Sequence, residues 1–511
     1  MVRPDNISMP ESPARSTWLV LAIIGLGAFF TALDQTVVVT VLPAVMLDLR
    51  VPISELDKLT WVVTAYLLGY TAFMPLFGRL ADVYGYPRLY IVGLGIFALG
   101  SILVALSRTV EELIGARVIQ AIGGSAAVPI GFALAVSAVP PERQGLALGI
   151  VGGAAEAGSM LGPAYGGAIV ELANWRWLFW LNIPQVLMIA PLLLLLPNRR
   201  QTGVRVDYLG GALVLVTLLA LSLGLSQKGL FKLDTAVPFG LLGAGVVLAV
   251  GLAFWERRAE QPLLLPLLFR TLNFVTANLT QVLVGVSLVI ALVTVPLMAN
   301  TVMGKDPFTG ALWLLRMTCA IPVGAVAGGL LLSRVGNRPV IAVGLLLIAL
   351  GLFLVSGWPL DVGEPQLTLH LVVAGLGFGL VIAPIMAQAL NAAPREYHAT
   401  ASSMVVVSRL MGMTLGLAAL AAYGIEQFQT LTTGLLLPLP IAGETAAETS
   451  ARVAAYATEL QNAGLTLFQR FFRIAAAVAL LALAPVVLKR EWISGIISRR
   501  NRQAPEGEAG D

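Results

Sequence analysis

Charge is scarce in this sequence: only 12% of its 511 residues are Asp, Glu, Lys or Arg, against 58% apolar. Soluble domains carry about 25% charged residues, so a water-facing globule of this composition could not cover its apolar surface. Cysteine occurs once, at Cys319 inside an apolar run, which excludes an intramolecular disulfide, a C-x-x-C redox pair and a thiolate metal cluster. The only two histidines, His370 and His398, are too far apart to build an acid–base constellation or a metal site for a membrane-embedded acyltransferase or protease. No G-x-x-x-x-G-K-[ST] loop is present, and the GLGFGL run at 375–380 follows no strand, so a phosphate cradle is excluded. The expectation is a protein that is not an enzyme, with no cofactor, no metal and no nucleic-acid partner.

What is present is apolar sequence in long runs. The first, Trp18 to Met46, is too long for a signal-peptide core and lacks a small-residue cleavage site, so it reads as a retained helix. Further runs centre near residues 70, 97, 125, 157, 187, 217, 246, 287, 322, 348, 382, 413 and 479, which makes fourteen crossings at about 20 residues each. Of the 32 Lys and Arg residues, 19 fall on the segments that share a side with the N-terminus and ten on the opposite segments. The positive-inside rule therefore places both termini in the cytoplasm. Arg117, Arg316 and Arg409 lie within helices; Arg316 is expected to snorkel to the outer surface, and His370 to mark an interface.

The chain also repeats itself. Gly78 and Gly85, in GRLADVYG, return 251 residues later as Gly329 and Gly336, in GLLLSRVG. Gly124 and Pro129 return as Gly379 and Pro384, and Pro140, Gly158 and Gly162 as Pro394, Gly412 and Gly416, at offsets of 255 and 254. Three ordered sets at nearly one offset indicate a duplicated six-helix unit, the architecture of alternating-access transporters. The expected organisation is a tail (1–16), an N-terminal bundle (17–197), a linker with two extra helices (198–267), a C-terminal bundle (268–490) and a second tail (491–511).

Four buried charges are costly: Asp34, Arg117, Glu156 and Arg409 each sit within a helix, where insertion costs at least ~2.5–3.5 kcal/mol, so each needs a protein partner. Glu156 and Arg409 occupy nearly equivalent places in the two repeats, which brings them to facing sides of a central cavity. In GRLADVYGYPR, Gly78 and Gly85 allow close helix approach, and Asp82 offers a carboxylate to a helix N-terminus or an arginine, as a latch; a plain solvated loop Asp is the alternative.

GRLADVYGYPR is similar to the loop signature of the major facilitator superfamily, RVIQAIGGSAAVPIG (Arg117 to Gly131) to its fourth-helix signature, and GSMLGPAYGG to its antiporter signature. With LDQTVVVTVLP and WRWLFWLNIP, the chain resembles the fourteen-helix drug:proton antiporter branch over nearly its whole length. Val83, Tyr86 and Pro87 stand where the family usually carries basic residues, leaving Asp82 and Arg88. LTWVVTAYLLGYTAFMPLFGR, AAEAGSMLGPAYG and VVAGLGFGLVIAPI resemble a mycobacterial group in this branch that exports triacylglycerols and lipophilic drugs beside a lipid-binding lipoprotein.

The resemblance implies an all-α fold of two pseudo-symmetric bundles, monomeric, exporting lipids or lipophilic drugs against a proton gradient. It brings Asp34 to the same cavity as Glu156 and Arg409, with Asp34 and Glu156 exchanging protons and Arg409 pairing with whichever is ionised; a static ion-pair network is the alternative. Arg117 matches the family's fourth-helix arginine, with pairing to backbone carbonyls as the other reading. Pro163 bends its helix, and Gly158, Gly162, Gly166 and Gly167 strip one face, either as a pivot that limits proton leak or as simple close packing. A multidrug antiporter for cationic drugs, or a membrane sensor or scaffold, are the rival functions.

The last outer loop is unusual. Met404 to Thr432 exceeds one crossing, and 445–488 reads as one helix of roughly 66 Å. Both should project outward, joined across 432–446 by a stretch rich in Leu435, Leu436, Leu437, Leu439 and Ile441. This apolar stretch either contacts departing lipid or a lipoprotein, or rests in the outer leaflet.

Overall fold

The computed structural model describes residues 14–52, 55–194, 206–225, 236–260, 262–264, 266–435 and 445–487. The tails, and Leu436, Leu437, Leu439 and Ile441 of the apolar loop, lie outside the described residues. Among the described residues, fourteen helices are long and apolar enough to cross a membrane. The first six are α1 (Thr17–Asp48), α2 (Lys58–Tyr84), α3 (Tyr86–Leu106), α4 (Val110–Ala138), α5 (Pro141–Leu172) and α6 (Arg176–Leu194). A hairpin follows, α7 (Tyr208–Leu225) and α8 (Phe239–Arg258). The second six are α9 (Leu272–Thr301), α10 (Pro307–Val335), α11 (Asn337–Val355), α12 (Glu364–Asn391), α13 (Arg395–Thr432) and α14 (Ala446–Val487). The near end of the bundle is where α1 begins and the α2–α3 and α10–α11 turns lie; the other is the far end.

Proline sets the breaks inside these spans, because it cannot donate to the carbonyl four residues before it. Turns interrupt α4 at Ser125 and Ala126, and α12 at Val381, just where Pro129 and Pro384 withhold that bond. The same rule accounts for the turn at Leu181 before Pro184 and at Ala482 before Pro485. The segment read as a single helix over 445–488 is therefore a 36-residue helix, Ala446–Leu481, followed after a break by a separate short helix, Leu483–Val487. At 1.5 Å per residue it is still about 54 Å long, well beyond a bilayer core of about 30 Å.

Glycine sets the close approaches, and it does so twice. Gly85 and Gly336 adopt φ of 98° and 87°, and each turns one helix into the next. A Cβ on Gly158 would lie 2.1 Å from the carbonyl oxygen of Phe29, and one on Gly412 would lie 2.1 Å from that of Val282. Thus α5 packs on α1 as α13 packs on α9. Across the two halves, Gly78 presses on the backbone of Ala399 as Gly329 presses on that of Gly145. The glycines of GLGFGL serve the same end: Cβ atoms on Gly375 and Gly379 would each fall 2.1 Å from a carbonyl of α10.

Candidate ion network and near-end gate

Asp34, in the middle of α1, is 2% exposed and surrounded by three donor side chains from two other helices, α4 and α6. Its Oδ2 accepts from Arg117 Nη1 at 2.7 Å, and its Oδ1 from Gln120 Nε2 at 3.0 Å and Asn182 Nδ2 at 2.9 Å. Ser101 accepts from the same two amides at 2.7 and 3.1 Å, which fixes their orientation. The Arg117 guanidinium lies 3.9 Å above the Tyr66 ring, fully buried. Three donors converge on this carboxylate, an arrangement suited to its anion. Asp34 is therefore sealed in the N-terminal bundle with Arg117, instead of joining Glu156 and Arg409. The reason is the nearer cation: Arg117, three residues before Gln120, reaches it from α4. Arg117 takes a carboxylate, not backbone carbonyls.

Glu156 on α5 and Arg409 on α13 meet across the two halves, Nη1 to Oε1 at 2.5 Å. Both side chains are partly accessible, at 16% and 19%. This pair is a charged contact between the repeats at mid-depth, distinct from the sealed Asp34 node. Arg316, partly exposed, pairs with Glu364 at 2.5 Å and donates to the Thr368 hydroxyl at 2.8 Å; Glu364 is itself exposed at the far-end start of α12. His370 accepts from Trp358 Nε1 at 3.0 Å through Nδ1, a packed core contact.

The glycine stripe of α5 lies against α1. Gly162 faces Thr36 and Gly166 faces Thr40, whereas Gly167 has open space beside it and belongs to no close contact. Thr36 Oγ1 donates to the carbonyl of Ser159 at 2.9 Å. That carbonyl is the one Pro163 cannot serve.

At the near end, Asp82 is 5% exposed and caps the start of the helix at His398. Its oxygens accept from the backbone N–H of Ala399 at 2.9 Å and of Thr400 at 2.8 Å, and from the Thr400 hydroxyl at 2.6 Å. Tyr86 adds its hydroxyl at 3.1 Å, and stands where the resembled loop usually carries a basic residue. Arg88 is exposed and is not one of these donors to Asp82. Helix N-termini present unpaired N–H groups and a positive dipole end, so a carboxylate there ties α2 of one half to α13 of the other. Ser402 Oγ donates to the Pro129 carbonyl at 2.8 Å beside it. The symmetry is broken chemically: the repeat position of Asp82 is Ser333, which turns back to its own helix at Leu330.

At the far end, a cleft of about 610 Å³ lies among α9, α13 and α14, lined by Val302, Phe428, Gln461 and Phe468 among others. Leu435, the one described member of the apolar loop stretch, is partly buried.

Sequence reasoning missed Gln120, Asn182 and Ser101, which are uncharged and carry no insertion penalty large enough to single them out. It also missed Tyr86 as a latch donor; the departure from the basic pattern was the available signal.

A family model described as the Major Facilitator Superfamily matches residues 24–417. A protein named triacylglyceride transporter from Mycolicibacterium hassiacum is 38% identical over 459 residues, covering 86% of this chain and 84% of that protein. One of the same name from Mycobacterium tuberculosis H37Rv is 36% identical over 510 residues, covering 94% and 95%. Among solved structures, the proton:xylose symporter XylE aligns at a TM-score of 0.58 with 13% identity, covering 91% of this chain and 95% of that one. The human organic anion transporter MFSD10 aligns at 0.57 with 14% identity, covering 92% and 100%.

Proposed function

The chain belongs to the major facilitator superfamily, and from that premise we propose that it is a proton-coupled exporter of lipids and lipophilic compounds, working by alternating access. The observation that carries this reading is the Glu156–Arg409 pair, which bridges the two halves at mid-depth and is open enough for a proton to reach it. Closing the near end through Asp82 and Ser402 leaves this structure as one of two end states, the near end being the cytoplasmic one by the distribution of Lys and Arg. Opening the near end would separate α5 from α13 and with them Glu156 from Arg409. A carboxylate losing its arginine gains affinity for a proton, and this is the step that ties proton uptake to the swing of the halves.

Asp34 is the second proposed proton site. Its charge is matched by Arg117, so protonation at Asp34 would loosen α1 from α4 inside one bundle. The proposal is antiport at a bacterial plasma membrane using these two sites, with no cofactor beyond the gradient and a single chain as the transporting unit.

The cargo class rests on similarity to the mycobacterial triacylglyceride transporters. Neutralisation of Glu156 by Arg409 supports it: no free negative charge is offered there to a cationic drug. The cleft among α9, α13 and α14, together with the apolar stretch that follows Leu435, is the proposed exit for lipid toward a lipid-binding lipoprotein.

The experiment is uptake into inside-out vesicles under an imposed pH gradient, comparing triacylglycerol with cationic dyes, for the wild-type protein and Glu156→Gln. Gradient-driven lipid uptake lost in Glu156→Gln supports the reading. Dye uptake without lipid uptake replaces it by a cationic multidrug antiporter, and no uptake of either, with no counterflow in proteoliposomes, leaves a sensor or scaffold.

A further inference from the structure

The α7–α8 hairpin is the part of the molecule that neither repeat requires, yet it is packed where the two halves meet. Val214, Leu252, Leu263 and Leu264 of the hairpin segment pack with Leu76 of α2 and Met404 of α13. Ser222 of α7 also reaches Met411 of α13. Beneath this apolar contact lie two buried charges that the transport reading does not use. Arg79, on α2, is 2% exposed, and its guanidinium sits 4.1 Å from the ring centre of Tyr397 at the start of α13. Its Nε and Nη1 have no hydrogen-bond partner. Glu256, near the end of α8, is 5% exposed, and its carboxylate is held beside Leu264, which belongs to the same apolar cluster as Leu76, one helical turn before Arg79. One of its oxygens accepts from the backbone N–H of Leu264 at 3.2 Å, and the other, Oε1, has no partner.

Asp207, the other charge facing Glu256, is already committed. Its oxygens accept from the backbone N–H of Gly210 at 2.8 Å and from Trp255 Nε1 at 2.7 Å. Arg79 therefore stands between an aromatic ring of the C-terminal half and the linker hairpin, with its Nε and Nη1 left without hydrogen-bond partners.

We infer that Glu256 is a positioning residue for the near-end gate, supplying the counter-charge that allows Arg79 to stay buried against Tyr397 while the gate is closed. The sign follows from the surroundings. Coulombic attraction grows as the local dielectric falls, and Arg79 is dehydrated only while Tyr397 and the hairpin cover it. Glu256 thus stabilises the closed gate more than the open one, in which Tyr397 withdraws and water reaches the guanidinium. The two extra helices become a third component of alternating access, holding the gate from the side. The inference rests on the proposed alternating-access reading.

The test is a distance measurement between spin labels at Arg143→Cys and Arg334→Cys, exposed near-end positions on opposite halves, in a Cys319→Ser background. Glu256→Gln is expected to raise the long-distance, gate-open population about three-fold or more, and Glu256→Asp to retain the parental distribution. Arg79→Gln strands the opposite charge and should also open the gate. The double variant Glu256→Gln/Arg79→Gln, with neither charge stranded, should return toward the parental distribution, a rescue that a purely structural role for Glu256 would not produce. Should Glu256→Gln fail to fold, Arg79→Gln and the double variant give the same comparison. A parental distribution in Glu256→Gln, or a double variant as open as the singles, overturns the inference. Loss of gradient-driven export with normal gate movement would instead count against the transport reading alone.

Discussion

The Thr36 hydroxyl donates to the Ser159 carbonyl at 2.9 Å, and so satisfies, from α1, the acceptor that Pro163 abandons in α5. The neighbouring Gly162 makes this possible, since a Cβ there would fall 2.0 Å from Thr36 Oγ1. Proline and glycine thus act as a unit: one frees a carbonyl, the other admits the hydroxyl that takes it. Thr36→Val removes the donor and keeps the shape, and should cost about 1–3 kcal/mol, the usual penalty for a stranded polar group. Gly162→Ala should cost more, whereas Gly167→Ala, beside open space, should stay within about 0.5 kcal/mol of wild type. Denaturation midpoints of the purified protein check the order, and an equal loss at Gly162 and Gly167 would refute it.

Asp82 ties the gate through charge as well as hydrogen bonds. Asp82→Asn keeps an acceptor but gives up the anion at the start of α13, a loss of about 0.3–2 kcal/mol. Since the contact exists only while the near end is closed, the loss falls on that state alone. Alkylation of a Ser402→Cys reporter in a Cys319→Ser background should accelerate by roughly two- to thirty-fold on that scale. An unchanged rate would reduce Asp82 to a local cap without a gating role. Arg88→Ala, exposed and outside the contact, is expected to leave the rate unaltered.

Which parts could be read beforehand follows from what each residue does. The crossings are legible because an apolar helix needs a continuous apolar run. The duplication is legible because close backbone approaches, such as Gly158 on Phe29 and Gly412 on Val282, tolerate no side chain and so keep glycine at both copies. Glu156 and Arg409 could be paired because a repeat offset converts sequence position into spatial position. Asp34 could not be placed that way, since its partner lies in its own half. Its environment is completed by Gln120, Asn182 and Ser101, whose amides and hydroxyl leave no mark on a hydropathy pattern. Arg79 could not be singled out, because the ring that covers it, Tyr397, is distant in sequence and ordinary alone.

The contact between Glu156 and Arg409 separates pairing from coupling. Both side chains are partly accessible, so breaking the pair should have only a modest effect on folding. Glu156→Gln is expected to yield folded protein with gradient-driven export reduced at least about ten-fold, equivalent to about 1.4 kcal/mol. The exchange Glu156→Arg/Arg409→Glu restores attraction between the halves but moves the proton acceptor to α13. It should recover the parental gate population measured by spin labels without recovering export. Full export from the exchanged pair would mean that the contact serves only to hold the halves together.

Asp34 poses the complementary case, because its pair is sealed. Asp34→Asn leaves Arg117 charged and fully buried without an anion, which on the usual scale of broken buried pairs costs about 3–5 kcal/mol. Loss of export from that variant alone would therefore confuse unfolding with uncoupling. The double variant Asp34→Asn/Arg117→Gln removes both charges and should recover most of the lost stability. If Asp34 carries a proton through the cycle, the double variant folds, exchanges lipid across proteoliposomes in counterflow, and still fails to accumulate it under a pH gradient. Gradient-driven accumulation by the double variant would assign the node a structural role and leave Glu156 as the coupling site.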